Sequence, residues 1–150
     1  MQKMPPIEKI HEAYSAIVDN RVDLKKGEAK VMSSDYTKEY TVQWEKDVYL
    51  SNDNASYWQG YAGYPIIAVL LMQGKLPFNR TIADHFKKIN WKRLNSEHKG
   101  NYSKAVSVIL DQLKAEGINC NEVNNEINKV YDRLKILDIR CKRSSIRLAR

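Results

Sequence analysis

The sequence predicts an α+β protein, in which an N-terminal helix and a small antiparallel β-meander are covered by a buried helix and followed by a helical C-terminal half. Three patterns indicate this class. The longest uninterrupted apolar run spans residues 66–72, a segment of alternating side chains precedes it, and helical periodicity follows it.

The apolar run predicts a short helix over residues 65–73. Pro65 suits the first turn, where a backbone N–H is not needed, whereas Gly74 and Pro77 mark the end. A helix that spans a membrane needs about 20 such residues. We therefore expect this helix to be buried on nearly every side within the core.

Residues 1–78 predict a small ββα-like unit. An apolar stripe at positions 7, 10, 14, 17 and 18 has helical spacing, and His11 beside it is interpreted as a packing residue. Segments 29–33, 40–44 and 48–50 favour strands, and segment 22–24 is a candidate fourth. Residues 51–64 are expected to form a polar and aromatic loop.

Residues 79–150 predict a helical extension with a basic tail, packed on the first unit as one domain. Asn79, Asn90 and Asn101 are candidate N-caps of three helices, and a fourth helix starts near Asn121. The final segment, IRCKRSSIRLAR, either continues the fourth helix or forms a frayed or partner-dependent tail.

The net charge of +7 lies entirely in the C-terminal half. Residues 1–78 hold 9 Lys and Arg against 10 Asp and Glu, and residues 79–150 hold 16 against 8. Such asymmetry indicates nucleic acid or an acidic protein as partner, although lysine-rich helices are also common as solvated faces. The two cysteines, the lack of a secretory signal and the short apolar run predict a cytoplasmic protein without a membrane partner.

Two groups of residues are candidates for function. The first is basic and would contact nucleic-acid phosphates: Lys87, Lys88, Lys92, Arg93, Lys99, Arg140, Lys142 and Arg143. The second is aromatic and would form a surface or pocket: Tyr57, Trp58, Tyr61 and Tyr64. Trp91 and Tyr102 lie among the basic residues and are candidate stacking rings, whereas core packing is the competing interpretation of the aromatic group.

Catalytic and metal-binding chemistry is not indicated. The three histidines are isolated, and neither cysteine belongs to a C-x-x-C pair. The glycines between Trp58 and Pro65 lack dinucleotide-binding spacing. The sequence therefore predicts no catalytic residue, no metal site and no cofactor.

The order of signals in residues 7–76 resembles the SWIM-type zinc finger, through "DNRV", "SSDYTKEYTV" and "GYPIIAVLLMQGKL". That family carries a C-x-C…C-x-H ligand pattern on a ββα unit. Here Ser51 and Asp53 stand at the first pair of ligand positions, and Gly63 and Pro65 at the second. Because Gly and Pro cannot bind zinc through a side chain, the resemblance implies a zinc-free relative.

We expect a non-enzymatic nucleic-acid-binding or adaptor protein. The alternative is a protein-interaction or homo-oligomeric module that uses the tyrosine-rich loop. An enzyme with an unrecognised site is a third hypothesis, which a deep pocket joining that loop to His85 or His98 would favour.

Overall fold

The computed structural model describes residues 1–148 and confirms the α+β class. The helices are α1 (Glu8–Val18), α2 (Asn54–Gln59), α3 (Tyr64–Met72), α4 (Arg80–Asp84), α5 (Trp91–Glu97), α6 (Tyr102–Ala115) and α7 (Cys120–Ile136). The strands are β1 (Val22–Lys25), β2 (Glu28–Met32), β3 (Glu39–Glu45), β4 (Val48–Ser51) and β5 (Arg140–Arg143). Within the described residues, no helix combines the length and apolar character needed to cross a membrane.

One sheet contains all five strands in the order β1-β2-β3-β4-β5. The first four pair antiparallel as a meander, as predicted, whereas β5 pairs parallel with β4. The prediction of a helical or frayed tail is therefore wrong for residues 140–143, because β4 offers an open edge to which they add. Residues 149 and 150 of that predicted tail lie outside the described residues.

Helix α3 is the centre of the core. Its residues from Pro65 to Leu71 are all buried, against α1 on one side and the sheet on the other. Only Met72, which is 41% exposed, departs from the predicted burial, since it lies in the last turn beside Gln73 and Gly74. A helix with apolar residues on every side requires cover on every side, and that requirement explains its position.

Polar residues start the helices of the C-terminal half. The side chains of Asn79, Asn90 and Asn101 each accept a hydrogen bond from a backbone N–H in the first turn, which confirms them as N-caps. The fourth helix begins at Cys120, which confirms the predicted start near Asn121, and Asn119 is its cap. The predicted loop 51–64 also contains an unpredicted helix, α2, which is capped by Asp53.

A buried hydrogen-bond chain joins α1 to the helical half. Ser15 Oγ donates to the backbone oxygen of Phe86 at 2.7 Å, and Trp91 Nε1 donates to Ser15 Oγ at 2.7 Å. Trp91 is only 2% exposed, so the expectation that its ring stacks on a ligand is wrong. The indole instead holds the start of α5 against α1.

Replacing Ser15 by alanine is expected to lower the free energy of unfolding by about 1–3 kcal/mol, because it leaves the buried Trp91 N–H and the Phe86 carbonyl without a partner. Chemical denaturation monitored by tryptophan fluorescence measures this change. Ser107→Ala, on the exposed face of α6, is the matched control and should alter stability by less than about 0.5 kcal/mol. Equal stabilities of the two variants would contradict the structural role of Ser15.

The burial of His11 predicts that the stability of the protein depends on pH. Burial lowers the pKa of His11 to about 4, and its ring packs edge-on against Phe86 at 5.4 Å. The unfolded chain binds this proton near pH 6.5, so between about pH 6.5 and pH 4 the unfolded state holds more protons than the folded state. The free energy of unfolding should therefore fall by up to about 3 kcal/mol across that window as the pH drops.

The measurement is urea denaturation at several pH values for the native chain and for His11→Gln, which cannot take up the proton. The difference in unfolding free energy between the native chain and His11→Gln should shrink as the pH falls, because only the native chain loses stability through protonation of His11. His98→Gln, at the half-exposed end of α5, serves as the control. Parallel curves for the native chain and His11→Gln would overturn the assignment.

Candidate functional site

A groove of about 500 Å³ opens between α1, the turn that joins β2 to β3, α2 with the start of α3, and the helices α5 and α6. This volume lies within the range of about 300–1,000 Å³ that is typical of small-molecule and cofactor sites. Both halves of the chain contribute to its walls, from Lys9 on α1 to Tyr102 on α6. The groove is thus a product of the packing between α1 and the helical half.

The lining of the groove is rich in aromatic rings: Tyr40, Trp58, Tyr61, Tyr64 and Tyr102. Tyr40 and Tyr64 pack edge to face with ring centroids 6.1 Å apart. Burial raises the pKa of Tyr40 to about 12 and, together with the nearby Tyr40, raises the pKa of Tyr64 well above its usual value. These hydroxyls therefore stay neutral near pH 7 and can both donate and accept hydrogen bonds.

A buried ion pair forms the inner wall. Lys9 Nζ lies 3.2 Å from Glu12 Oε2, and Asn95 Nδ2 donates to Glu12 Oε1 at 3.1 Å. The ammonium group of Lys9 also lies 4.2 Å from the centroid of the Tyr102 ring. Burial, the largest single influence, lowers the pKa of Lys9, but the attraction of Glu12, the hydrogen bond with it and the nearby Tyr102 and Tyr61 together outweigh burial. The net pKa is therefore raised and Lys9 stays charged.

A second ion pair lies at the rim. Lys92 Nζ is 3.2 Å from Asp35 Oδ2 and donates to Thr37 Oγ1 at 3.1 Å. Asp35 also accepts hydrogen bonds from Ser33 and Thr37, and the bond from Thr37 contributes most to lowering its pKa. The turn between β2 and β3 is thereby tied to α5. Lys38, which also lines the groove, has no carboxylate within 4.0 Å among residues 1–148.

The C-terminal strand brings an arginine to the aromatic residues of α2. Arg143 pairs with Ser51 in the sheet, and its guanidinium carbon lies 4.1 Å from the centroid of the Tyr57 ring and 5.1 Å from that of Trp58. Trp58 is 62% exposed and also lines the groove. The basic tail and the aromatic loop, predicted as separate candidates, therefore meet beside the groove. We name this cluster of Tyr57, Trp58 and Arg143 the arginine–aromatic cluster.

The other predicted basic residues are not gathered in one place. Lys87, Lys88 and Arg93 line a second cavity of about 590 Å³ that also contains His85. Lys87 is paired there with Asp84 at 3.5 Å, and Arg93 is paired with Glu97 at 2.8 Å. Because these carboxylates already neutralise them, Lys87 and Arg93 are poor candidates for binding phosphates.

The remaining basic candidates are exposed and, within the described part of the chain, have no carboxylate within 4.0 Å. Lys99 lies in the turn before α6, next to the groove residue Gly100. Arg140 and Lys142 alternate along β5 with Cys141 and Arg143, so they point to the opposite face of the sheet from the arginine–aromatic cluster. Of the eight predicted cations, only Lys92 lines the groove, and Arg143 contacts its edge through Trp58.

Three of the four positions that the zinc-finger resemblance assigned to ligands, Ser51, Asp53 and Gly63, lie close together. Ser51 Oγ donates to Asp53 Oδ1, and a Cβ atom built on Gly63 would lie 2.2 Å from Asp53 Oδ2. The Asp53 carboxylate accepts the N–H of Ser56 at 3.0 Å, and Ser56 Oγ accepts the N–H of Gly63 at 2.9 Å. Hydrogen bonds therefore join the end of β4 to the start of α3 at this point.

Sequence reasoning missed the inner wall of the groove. Lys9, Glu12 and Asn95 were not candidates, since single charged residues in amphipathic helices usually face solvent. One signal was available, because Lys9 and Glu12 have the i,i+3 spacing of a helical ion pair. Neither His85 nor His98 lines the groove, so the arrangement that would favour an enzyme does not occur there.

Fold and groove together define a small α+β protein with a mixed five-stranded sheet and an open, aromatic-lined groove. A family model described as "Uncharacterised conserved protein UCP014422" matches residues 2–140, so the chain belongs to that family. Every groove residue falls inside this match, whereas Arg143 lies beyond its end. No curated protein and no solved structure matches the chain.

Replacing Gly63 by alanine is expected to destabilise the fold by about 1–3 kcal/mol, because the added methyl group would collide with the carboxylate that caps α2. Thermal unfolding of Gly63→Ala, Asp53→Ala and the double variant measures the coupling between them. Gly63→Ala should lower the stability less in the Asp53→Ala background, where the carboxylate is absent, than in the native chain. Additive effects would contradict the proposed collision.

Proposed function

We propose that this protein is a non-enzymatic nucleic-acid-binding protein that holds a single strand along the groove and the arginine–aromatic cluster. The observation that carries the proposal is the stacking of Arg143 on Tyr57 and Trp58 at the edge of a groove that is also lined by Lys38, a cation with no carboxylate within 4.0 Å among residues 1–148. Proteins that bind single strands combine cationic side chains, which contact the backbone, with aromatic rings, on which bases stack. Both components are present on this one surface.

A single strand fits this surface better than a duplex. The exposed indole of Trp58 offers a flat face on which an unstacked base can lie. Bases inside a duplex are already stacked on their neighbours and cannot use this face. Tyrosines rather than a long row of free cations line the groove. Backbone contacts are therefore few, and stacking is expected to supply much of the affinity.

Exposure of Trp58 also motivates the alternative, a protein-interaction or homo-oligomeric module that uses the tyrosine-rich loop. Large aromatic side chains are common at the centres of protein interfaces. The charge excess of +7 favours the nucleic-acid proposal, because an anionic partner is attracted to it whereas a second copy of this basic chain is repelled.

Fluorescence anisotropy with a labelled single-stranded DNA of about 20 nucleotides tests the proposal. If about three phosphates are contacted, affinity should fall roughly 20-fold between about 50 and 200 mM salt. Trp58→Ala and Arg143→Ser should each weaken binding about tenfold, because they remove a stacking surface and a cation. Arg133→Ser, an exposed arginine of α7 that does not line the groove, is the matched control and should bind as the native chain does.

The proposal fails if the protein does not bind the oligonucleotide at low salt, or if Arg133→Ser and Arg143→Ser weaken binding equally. Sedimentation velocity on the same samples distinguishes nucleic-acid binding from the alternative, the homo-oligomeric module. Self-association that Trp58→Ala abolishes, without any binding of DNA, would favour the homo-oligomeric module.

A further inference from the structure

We propose that Tyr36 is a second stacking residue of this surface, so that the bound strand contacts the ring of Trp58 on α2 and the ring of Tyr36 in the turn between β2 and β3. This inference rests on the proposed function and adds to it a second base contact. Among the aromatic residues of positions 1–148, only Tyr36 and Trp58 are exposed, at 60% and 62%. Both belong to elements that form walls of the same groove.

The backbone of Tyr36 is in the left-handed region, with a φ of 61°. In this region Cβ lies close to the backbone, so glycine, asparagine and aspartate are favoured over tyrosine. Within residues 1–148 the ring of Tyr36 lies outside the hydrophobic core and pairs with no other aromatic ring. A side chain that strains the backbone without packing into the core points to a role outside the fold.

Hydrogen bonds hold the turn in this conformation. Asp35 Oδ1 accepts from Ser33 Oγ at 2.8 Å and from the backbone N–H of Thr37 at 3.1 Å. The N–H of Tyr36 itself donates to the backbone oxygen of Ser33 at 2.9 Å. Lys92 ties the turn to α5 through its ion pair with Asp35. The ring therefore projects from a fixed backbone, so less conformational entropy is lost when a base stacks on it.

The neighbours of Tyr36 in the chain place it beside the groove. Ser33, Ser34 and Lys38, which come before and after it in the turn, all line the groove. Lys38 has no carboxylate within 4.0 Å among residues 1–148, so its charge is available to a phosphate. A ring and a cation thus occur together in this turn, as they do in the arginine–aromatic cluster, and a single strand needs both.

Fluorescence anisotropy with the labelled single-stranded DNA of about 20 nucleotides tests the inference. Loss of one stacked base weakens binding roughly tenfold, so Tyr36→Gly should bind about tenfold more weakly than the native chain. Tyr36→Phe keeps the ring and should bind as the native chain does. Because glycine adopts the left-handed conformation without strain, Tyr36→Gly should melt at the native temperature or slightly above it. The affinity is therefore expected to fall without any loss of stability.

Asn20→Gly is the matched control. Asn20 has a φ of 55°, is exposed, and lies between α1 and β1 without lining the groove. Like Tyr36→Gly, this variant replaces a left-handed residue by glycine and removes no charge. Its affinity for the DNA should equal that of the native chain.

The salt dependence separates stacking from charge. Lys38→Ser removes a cation, so it should lower the slope of log affinity against log salt concentration by about one. Tyr36→Gly removes no cation, so it should weaken binding to a similar extent at every salt concentration and leave the slope unchanged.

The inference is overturned if Tyr36→Gly binds the DNA as tightly as the native chain, or if Tyr36→Phe or Asn20→Gly binds as weakly as Tyr36→Gly. A lower melting temperature of Tyr36→Gly would also overturn it, because Tyr36 would then serve the fold. Loss of self-association in sedimentation velocity, with unchanged affinity for DNA, would assign Tyr36 to a protein interface instead. All these results leave the proposed function standing, whereas failure of the native chain to bind the DNA would overturn the proposed function itself.

Discussion

Burial of α3 is the constraint on which the rest of the structure depends. A helix whose sequence is YPIIAVLLM has no polar stripe to turn toward water, so every direction around it requires apolar cover. Helix α1 covers it on one side and the sheet covers it on the other. The first residue of α3, Tyr64, lines the groove, so the same helix that forms the core also positions part of the candidate site.

Pairing between charges decides which basic residues remain available for a ligand. Lys87 and Arg93 belong to ion pairs with carboxylates one turn away on their own stretch of chain, which the spacing of the sequence already allows. Arg143 is different, because rings rather than carboxylates surround its guanidinium. A cation that stacks on aromatic rings keeps its charge and its outward N–H groups available to an anion.

Local sequence patterns predicted most of the fold. The helical stripes, the alternation of strands β2 and β3, and the asparagine caps are short-range signals, and the structure contains all of them. Strand β5 could not be predicted in this way, because RCKR has neither alternation nor strong strand propensity, and only the edge of β4 makes it a strand. Helix α2 was hidden in an aromatic segment, although Asp53 before Asn54 is a recognisable cap.

The candidate site was less predictable for a related reason. Tyr61 and Tyr64 could be named from the aromatic cluster, but the inner wall joins Glu12 to Asn95, which are 83 residues apart in the chain. Contacts between residues so distant in the chain leave no local pattern. The burial of Trp91 depends likewise on Ser15, which no spacing rule connects with it.

Extension of the sheet by β5 has a consequence for the newly made chain. Strand β4 is complete as soon as residue 51 is synthesised, but its parallel neighbour starts only at Arg140. Until then β4 presents unpaired backbone groups, which are a template for association with other chains. Production of the protein therefore includes an interval in which the edge of β4 is open to misassembly. The edge that replaces it is β5, whose charged side chains discourage pairing with another strand.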